Sequence, residues 1–206
     1  MHIVSVGSKD YDREIKLFRK QGGSLRMSKA LSQGVSRKSL YKMRDAGIVE
    51  PVTRGLYRLT SLPPVSNPDL LAVASRVPQG VVCLISALSF HELTTQVPHA
   101  VDVALERGSR KPRIDHPPTH FHWFSGPAFH QGIKTHSLDG VTLRVYNPEK
   151  TLADCFRFRN QLGMDVVLEA VRLWRQQRPK KLNTLLEYAR MRHVERAMRP
   201  YLEALR

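Results

Sequence analysis

Cysteine is scarce in this 206-residue chain: only Cys83 and Cys155 occur, each inside an apolar stretch. Two such thiols cannot build a disulfide framework, so the chain reads as a reduced, cytoplasmic protein with both sulfurs in its core. Long hydrophobic runs are also missing. The longest mostly apolar stretch, Val81 to Leu88, is about ten residues short of a membrane span. The N-terminus has no basic start followed by an apolar region, so no secretory signal is legible. Acidic residues are the third shortage, 18 against 33 basic ones, for a net charge of +15. With 41% hydrophobic and 25% charged residues the composition is that of a folded protein rather than a disordered one. The cationic excess points to nucleic acid as partner and, without a basic amphipathic anchor, away from a membrane.

Catalytic signatures are absent too. There is no GxSxG elbow, phosphate-binding loop or dinucleotide fingerprint, and Cys155 lacks a nearby His to activate it. Asp102 and Glu106 invite comparison with a nuclease, but Arg107 and Gly108 follow where the paired carboxylate and Lys of one strand face should stand. His116, His120, His122, His130 and His136 crowd one stretch, and His120 and His122 would share a strand face. They could chelate zinc if a third ligand folded over. No Cys lies among them, and Pro117-Pro118 and Gly126-Pro127 break the segment, so they read as solvated or hydrogen-bonded histidines. No enzyme, no cofactor and no metal site is expected.

The charge is unevenly divided. Residues 1–62 hold 13 basic and 5 acidic residues, residues 63–150 hold 8 and 7, and residues 151–206 hold 12 and 6. Ser61-Leu62-Pro63-Pro64-Val65-Ser66 reads as an extended linker, because adjacent prolines stop a helix. Two domains follow, residues 1–62 and 63–206.

In the second domain, Asn67-Pro68-Asp69 and Asn147-Pro148-Glu149 each place a cap, a proline and an acid at a helix start, the first helix stopping near Pro78. Between them run strand-like segments, Gly80 to Ile85, Ala100 to Leu105, His120 to Phe124 and Val141 to Val145. Two helices should close the chain, from about Asp165 to Gln177 and from Thr184 to Leu205. They would be interrupted at Pro179 and strained at Pro200, with Thr184 and Glu187 forming a capping box. Their many arginines suit a second DNA surface, a patch for RNA or an acidic protein, or simply a solvated face. The expected fold class is α+β, an N-terminal winged helix-turn-helix followed by a mixed α+β domain ending in helices.

The stretch Gly22 to Leu59 is the most informative. Met27, Ala30 and Leu31 face one side of a short helix that Gly34 can end in a left-handed cap. Ser36 then caps a helix from Arg37 to Ala46, in which Leu40 and Met43 point inward and Gly47 ends the turn. At 100° per residue Lys38 and Lys42 fall opposite Leu40, with Ser39, Tyr41 and Asp45 beside them. Such a face suits a recognition helix, because the major groove admits one helix whose N-terminal side chains reach base edges. A hairpin follows, Ile48 to Val52 and Leu56 to Leu59 around Thr53-Arg54-Gly55, and reads as a wing. Lys38, Ser39 and Lys42 are therefore candidates for groove contact, with Ser36, Arg37 and Tyr41 at its edge and Arg54 and Arg58 on the wing. Tyr41 could instead pack at a domain rim, and Arg44 could be a backbone clamp or a structural ion-pair partner.

Gly34-Val35-Ser36 with Leu40 and Gly47, then Arg54-Gly55-Leu56-Tyr57-Arg58, resemble the N-terminal winged helix of the AbiEi-type antitoxins. Those are regulators of type IV toxin-antitoxin and abortive-infection operons. Ser86-Ala87-Leu88 through His91-Glu92-Leu93-Thr94-Thr95-Gln96-Val97-Pro98, and Asn147-Pro148-Glu149-Lys150-Thr151-Leu152-Ala153-Asp154, are similar to the family's C-terminal region. The resemblance implies a repressor that binds inverted repeats in its own promoter and counteracts a nucleotidyltransferase-like toxin. The alternative is a protein-interaction module that neutralises such a toxin, with DNA binding secondary.

Overall fold

The computed structural model describes residues 11–65, 67–177 and 181–204. The chain divides into two compact units, residues 1–76 with 137–142, and residues 77–136 with 143–206. The boundary expected at Leu62–Pro63 falls instead after Arg76. The reason is the helix from Pro68 to Arg76, whose residues Leu70 to Ser75 are all buried and which packs against a strand of the first unit.

The first unit opens with α1 (Asp12–Lys20), a helix absent from the sequence-based expectation. Asp12 and Glu14 in its first turn and Arg19 and Lys20 in its last complement the helix dipole, and Phe18 is fully buried. There follow β1 (Ser24–Arg26), α2 (Met27–Ser32), α3 (Arg37–Asp45), β2 (Val49–Thr53), β3 (Leu56–Leu59) and α4 (Pro68–Arg76). The three strands form an antiparallel sheet in the order β1-β3-β2. β1 pairs along the edge of β3 away from β2, and all four β3 residues are buried. Phe18, Leu25, Ala30, Leu40, Met43, Val49 and Leu59 make one core from three helices and the sheet. This is a winged helix-turn-helix, as the sequence implied.

The second unit is built on a five-stranded mixed sheet. Its elements are β4 (Val81–Val82), α5 (Leu84–Phe90), β5 (Val101–Glu106), β6 (Thr119–Phe124), α6 (Pro127–His130), β7 (Ile133–Leu138) and β8 (Val141–Tyr146). Strand order is β6-β5-β4-β8-β7, with β4 antiparallel to β5 and parallel to β8, and β5 parallel to β6. The strand expected over Gly80 to Ile85 is only two residues long. Ser86 of α5 accepts the Asp102 N–H at 2.8 Å, closing the ladder where the next strand residue would pair. The β7–β8 turn, Asp139-Gly140, belongs by its contacts to the first unit, and both residues have positive φ, as an Asp-Gly hairpin requires.

The helical layer comprises α7 (Pro148–Arg157), α8 (Arg159–Leu162), α9 (Met164–Gln176), α10 (Leu182–Met191) and α11 (Glu195–Ala204). The Asn147 side chain accepts the Lys150 N–H at 2.8 Å, so the predicted cap forms. From Glu149 to Phe156 α7 is buried on every face, packed against α5, α9 and α10. The single helix expected over Thr184 to Leu205 is two. It begins at Leu182, leaving Thr184 inside the first turn rather than at the cap, and it breaks at His193, where φ is +55°. The break expected at Pro179 lies outside the described residues. Cys83 and Cys155 are fully buried free thiols, and burial pushes the pKa of both up. Among the described residues no helix is long and apolar enough to cross a membrane.

Candidate nucleic-acid interface

The turn between α2 and α3 is set by two residues. Gly34 has φ +86°, a conformation that costs an L side chain about 1–2 kcal/mol. Ser36 stays extended and its Oγ accepts the Ser39 N–H at 2.9 Å, fixing the start of α3. Leu40 and Met43 are 1% and 0% exposed and hold the helix against the core. Lys38 and Lys42 lie on the opposite face, with Arg37, Tyr41 and Arg44 on its flanks, and all five are exposed. Among the described residues Arg37, Lys38, Lys42 and Arg54 take part in no ion pair. Arg44 donates from Nε and Nη2 to Asp45 Oδ1 at 2.9 and 2.7 Å, and its guanidinium lies 5.1 Å from the Tyr41 ring centre. Arg44 and Tyr41 therefore brace each other at the surface of α3.

The wing is anchored at its tip. Gly55, with φ +78°, accepts the Met27 N–H through its carbonyl at 2.8 Å, and Arg54 beside it is exposed.

Two candidates are placed differently from the sequence expectation. Arg58 is 3% exposed: its Nε donates to Asp139 at 2.8 Å, its Nη1 faces Glu50 at 3.4 Å, and its Nη2 donates to the Pro63 carbonyl. A guanidinium so enclosed is a structural clamp of the first unit and is not available to a phosphate. The partners that enclose it are Asp139 of the β7–β8 turn and the Pro63 carbonyl, both of the first unit. Ser39 is half-buried and donates its hydroxyl to Glu14 at 2.9 Å, tying α3 to α1 rather than facing outward.

In the second unit the conspicuous polar feature is enclosed. Lys150 Nζ donates to Asp154 Oδ2 at 2.5 Å, both side chains being 0% exposed, and Arg192 Nε lies 2.6 Å from Asp154 Oδ1 in an ion pair. The Lys150 ammonium sits 4.1 Å from the Tyr146 ring centre, and the Arg192 guanidinium 4.8 Å from that of Phe124. Burial pushes the Asp154 carboxyl up and the Lys150 ammonium down, against the pull of their pairing. Two histidines of the 116–136 stretch share one acid: His122 donates to Asp102 Oδ1 at 2.8 Å, and His120 Nδ1 lies 3.7 Å from the same oxygen. His130 donates to Glu106 at 2.8 Å, while His136 packs on Phe90. Among the described residues no three His, Cys, Asp or Glu side chains are grouped to hold a metal ion.

Residues 12–60 match the model of a family described as transcriptional regulator, AbiEi antitoxin. Among solved structures, the RV2827C protein from Mycobacterium tuberculosis is similar in fold, with a TM-score of 0.54 at 12% identity over 94% of this chain and 80% of that one. No curated protein matches the chain.

Proposed function

We propose, on the premise that residues 12–60 match a family of AbiEi-type regulators, that this chain is a DNA-binding transcriptional repressor of its own operon and the antitoxin of a type IV toxin-antitoxin pair. The observation that carries the DNA-binding half is the outer face of α3. Lys38 and Lys42 project, unpaired among the described residues, from a helix whose start is fixed by Ser36 and whose far side is locked into the core. In the major groove that face puts cations and the α3 N-terminal amides against the duplex. Lys38 and Lys42 reach into the groove, Ser36, Arg37, Tyr41 and Arg44 flank it, and Arg54 extends the contact through the wing. The operator is an inverted repeat in the chain's own promoter, read in the cytoplasm. The functional partner is a nucleotidyltransferase-like toxin encoded beside it.

The test is binding of the full chain to a duplex spanning that promoter across a salt series. The four phosphates neutralised by Arg37, Lys38, Lys42 and Arg54 contribute about −3.6 to the slope of log affinity against log salt. Replacing Lys38 and Lys42 by Ala should cost about 1–3 kcal/mol of binding each while the thermal melt stays put. Binding indifferent to salt would refute the electrostatic reading. Co-expression with the adjacent toxin frame tests the antitoxin half, where growth is expected to recover and continued arrest would refute it. Recovery that persists in the Lys38→Ala/Lys42→Ala variant would place neutralisation apart from DNA binding.

A further inference from the structure

The first unit carries a second uncompensated cationic surface, on α1. Arg13, Lys16 and Lys20 stand at spacings of three and four, so they share one helix face, and all three are exposed. Among the described residues none has an acid partner. They line a groove of about 240 Å³ between α1 and the turn Gln33-Gly34-Val35 that leads into α3. The one acid on its wall, Glu14, accepts the Ser39 hydroxyl at 2.9 Å and so faces α3. Gly34 keeps the floor of the groove low, since a Cβ there would stand 3.3 Å from the Arg13 guanidinium. Val35 is the last residue before the Ser36 cap, so the groove runs directly into the amino end of α3, where the Arg37 and Lys38 amides add positive potential.

We infer that this groove is a second phosphate-binding surface, seating the sugar-phosphate backbone of the same duplex that α3 enters, with Arg13, Lys16 and Lys20 as its cations. The inference rests on the DNA-binding reading above. A concave, cationic channel continuous with a recognition helix matches a strand of phosphates in charge and in form. The three side chains add affinity and register but no sequence preference, because phosphates are alike at every base pair.

The experiment measures full-length wild type, Arg13→Ala/Lys16→Ala/Lys20→Ala and Lys16→Gln/Lys20→Gln on two fluorescently labelled duplexes. One spans the chain's own promoter and the other is a random sequence of equal length. The triple variant should flatten the salt slope by about 2.7, so that wild type loses about 40-fold more affinity than the variant over a fourfold rise in salt. The loss should be equal on both duplexes. The double variant, which keeps Arg13 against the turn and so guards against a folding defect, should flatten the slope by about 1.8. Wild-type binding with an unchanged slope in both variants overturns the α1 surface and leaves the α3 reading standing. A wild type that binds neither duplex in a salt-dependent way overturns both. A loss confined to the promoter duplex also overturns the inference, since it would mean base readout.

Discussion

Asp154 is the anion of a buried group of three charges, and substituting asparagine for it removes the charge while keeping the volume. What remains is Lys150, fully enclosed, and Arg192, 13% exposed, two cations facing each other with no counter-charge between them. Breaking a buried pair in this way costs about 3–5 kcal/mol. At roughly 3–4 °C per kcal/mol for a unit of this size, the melt should fall by about 10–20 °C. Lys150→Met is the informative control. It leaves Asp154 opposite Arg192, a balanced pair, and fills the same space with an unbranched apolar chain, so its cost should stay below about 1.5 kcal/mol. The chain's two tryptophans, Trp123 and Trp174, both lie in the second unit, so urea unfolding followed by their fluorescence reports on that unit alone. A pH arm sharpens the result. Burial already lowers the Lys150 pKa below 10.5, and loss of Asp154 lowers it further. Between the folded value and 10.5 the unfolded chain holds the extra proton, so stability rises with pH across that window. The deficit of Asp154→Asn should therefore shrink at alkaline pH. Equal costs for the two variants, or a deficit that does not shrink, would refute this charge count.

Other outcomes follow from single residues. Arg58→Ala should destabilise the first unit by about 1–3 kcal/mol through the orphaned Asp139 and the lost packing of the side-chain stem, read as a lower melt by circular dichroism because that unit has no tryptophan. An unchanged melt would return Arg58 to the surface. Gly34→Ala should cost about 1–2 kcal/mol, because φ +86° is strained for an L side chain; a neutral result would mean the turn has relaxed. His91 donates to the Tyr146 carbonyl at 2.6 Å, and burial lowers its pKa below 6.5. The unfolded chain therefore takes up a proton first as pH falls, and stability should drop from 6.5 down to the folded value, a slope that His91→Gln should flatten in urea midpoints.

Local signals were legible. Gly34, Ser36 and Gly55 act within a few residues of themselves, so the turn, the cap and the hairpin tip could be placed from spacing alone. The helix α1 carries a shorter pattern, Tyr11, Ile15 and Phe18 at helical intervals with Asp12 and Glu14 between the first two. The strand β1 is three residues long and offers no alternation to detect. Without it, β3 looks like the outer arm of a two-stranded wing. The partner that reveals the burial of Arg58, Asp139, lies 81 positions away. The apolar run Val81 to Leu88 reads equally as strand or buried helix, because a segment buried on all sides loses its period. The three charges on Lys150, Asp154 and Arg192 were invisible for a related reason: two share a helix turn at i and i+4, but the third arrives from another helix.

The clamp on Arg58 also sets a timetable. The first unit is discontinuous in sequence, and the acid that receives its buried guanidinium is made 81 residues later. At about 5–20 residues per second of synthesis, that is a wait of roughly 4–16 s. During this interval the recognition helix and the wing have been translated, but the residues that complete their unit have not. A nascent chain in that window carries its DNA-binding elements in an unfinished body, which becomes whole only once most of the second unit's sheet has been translated.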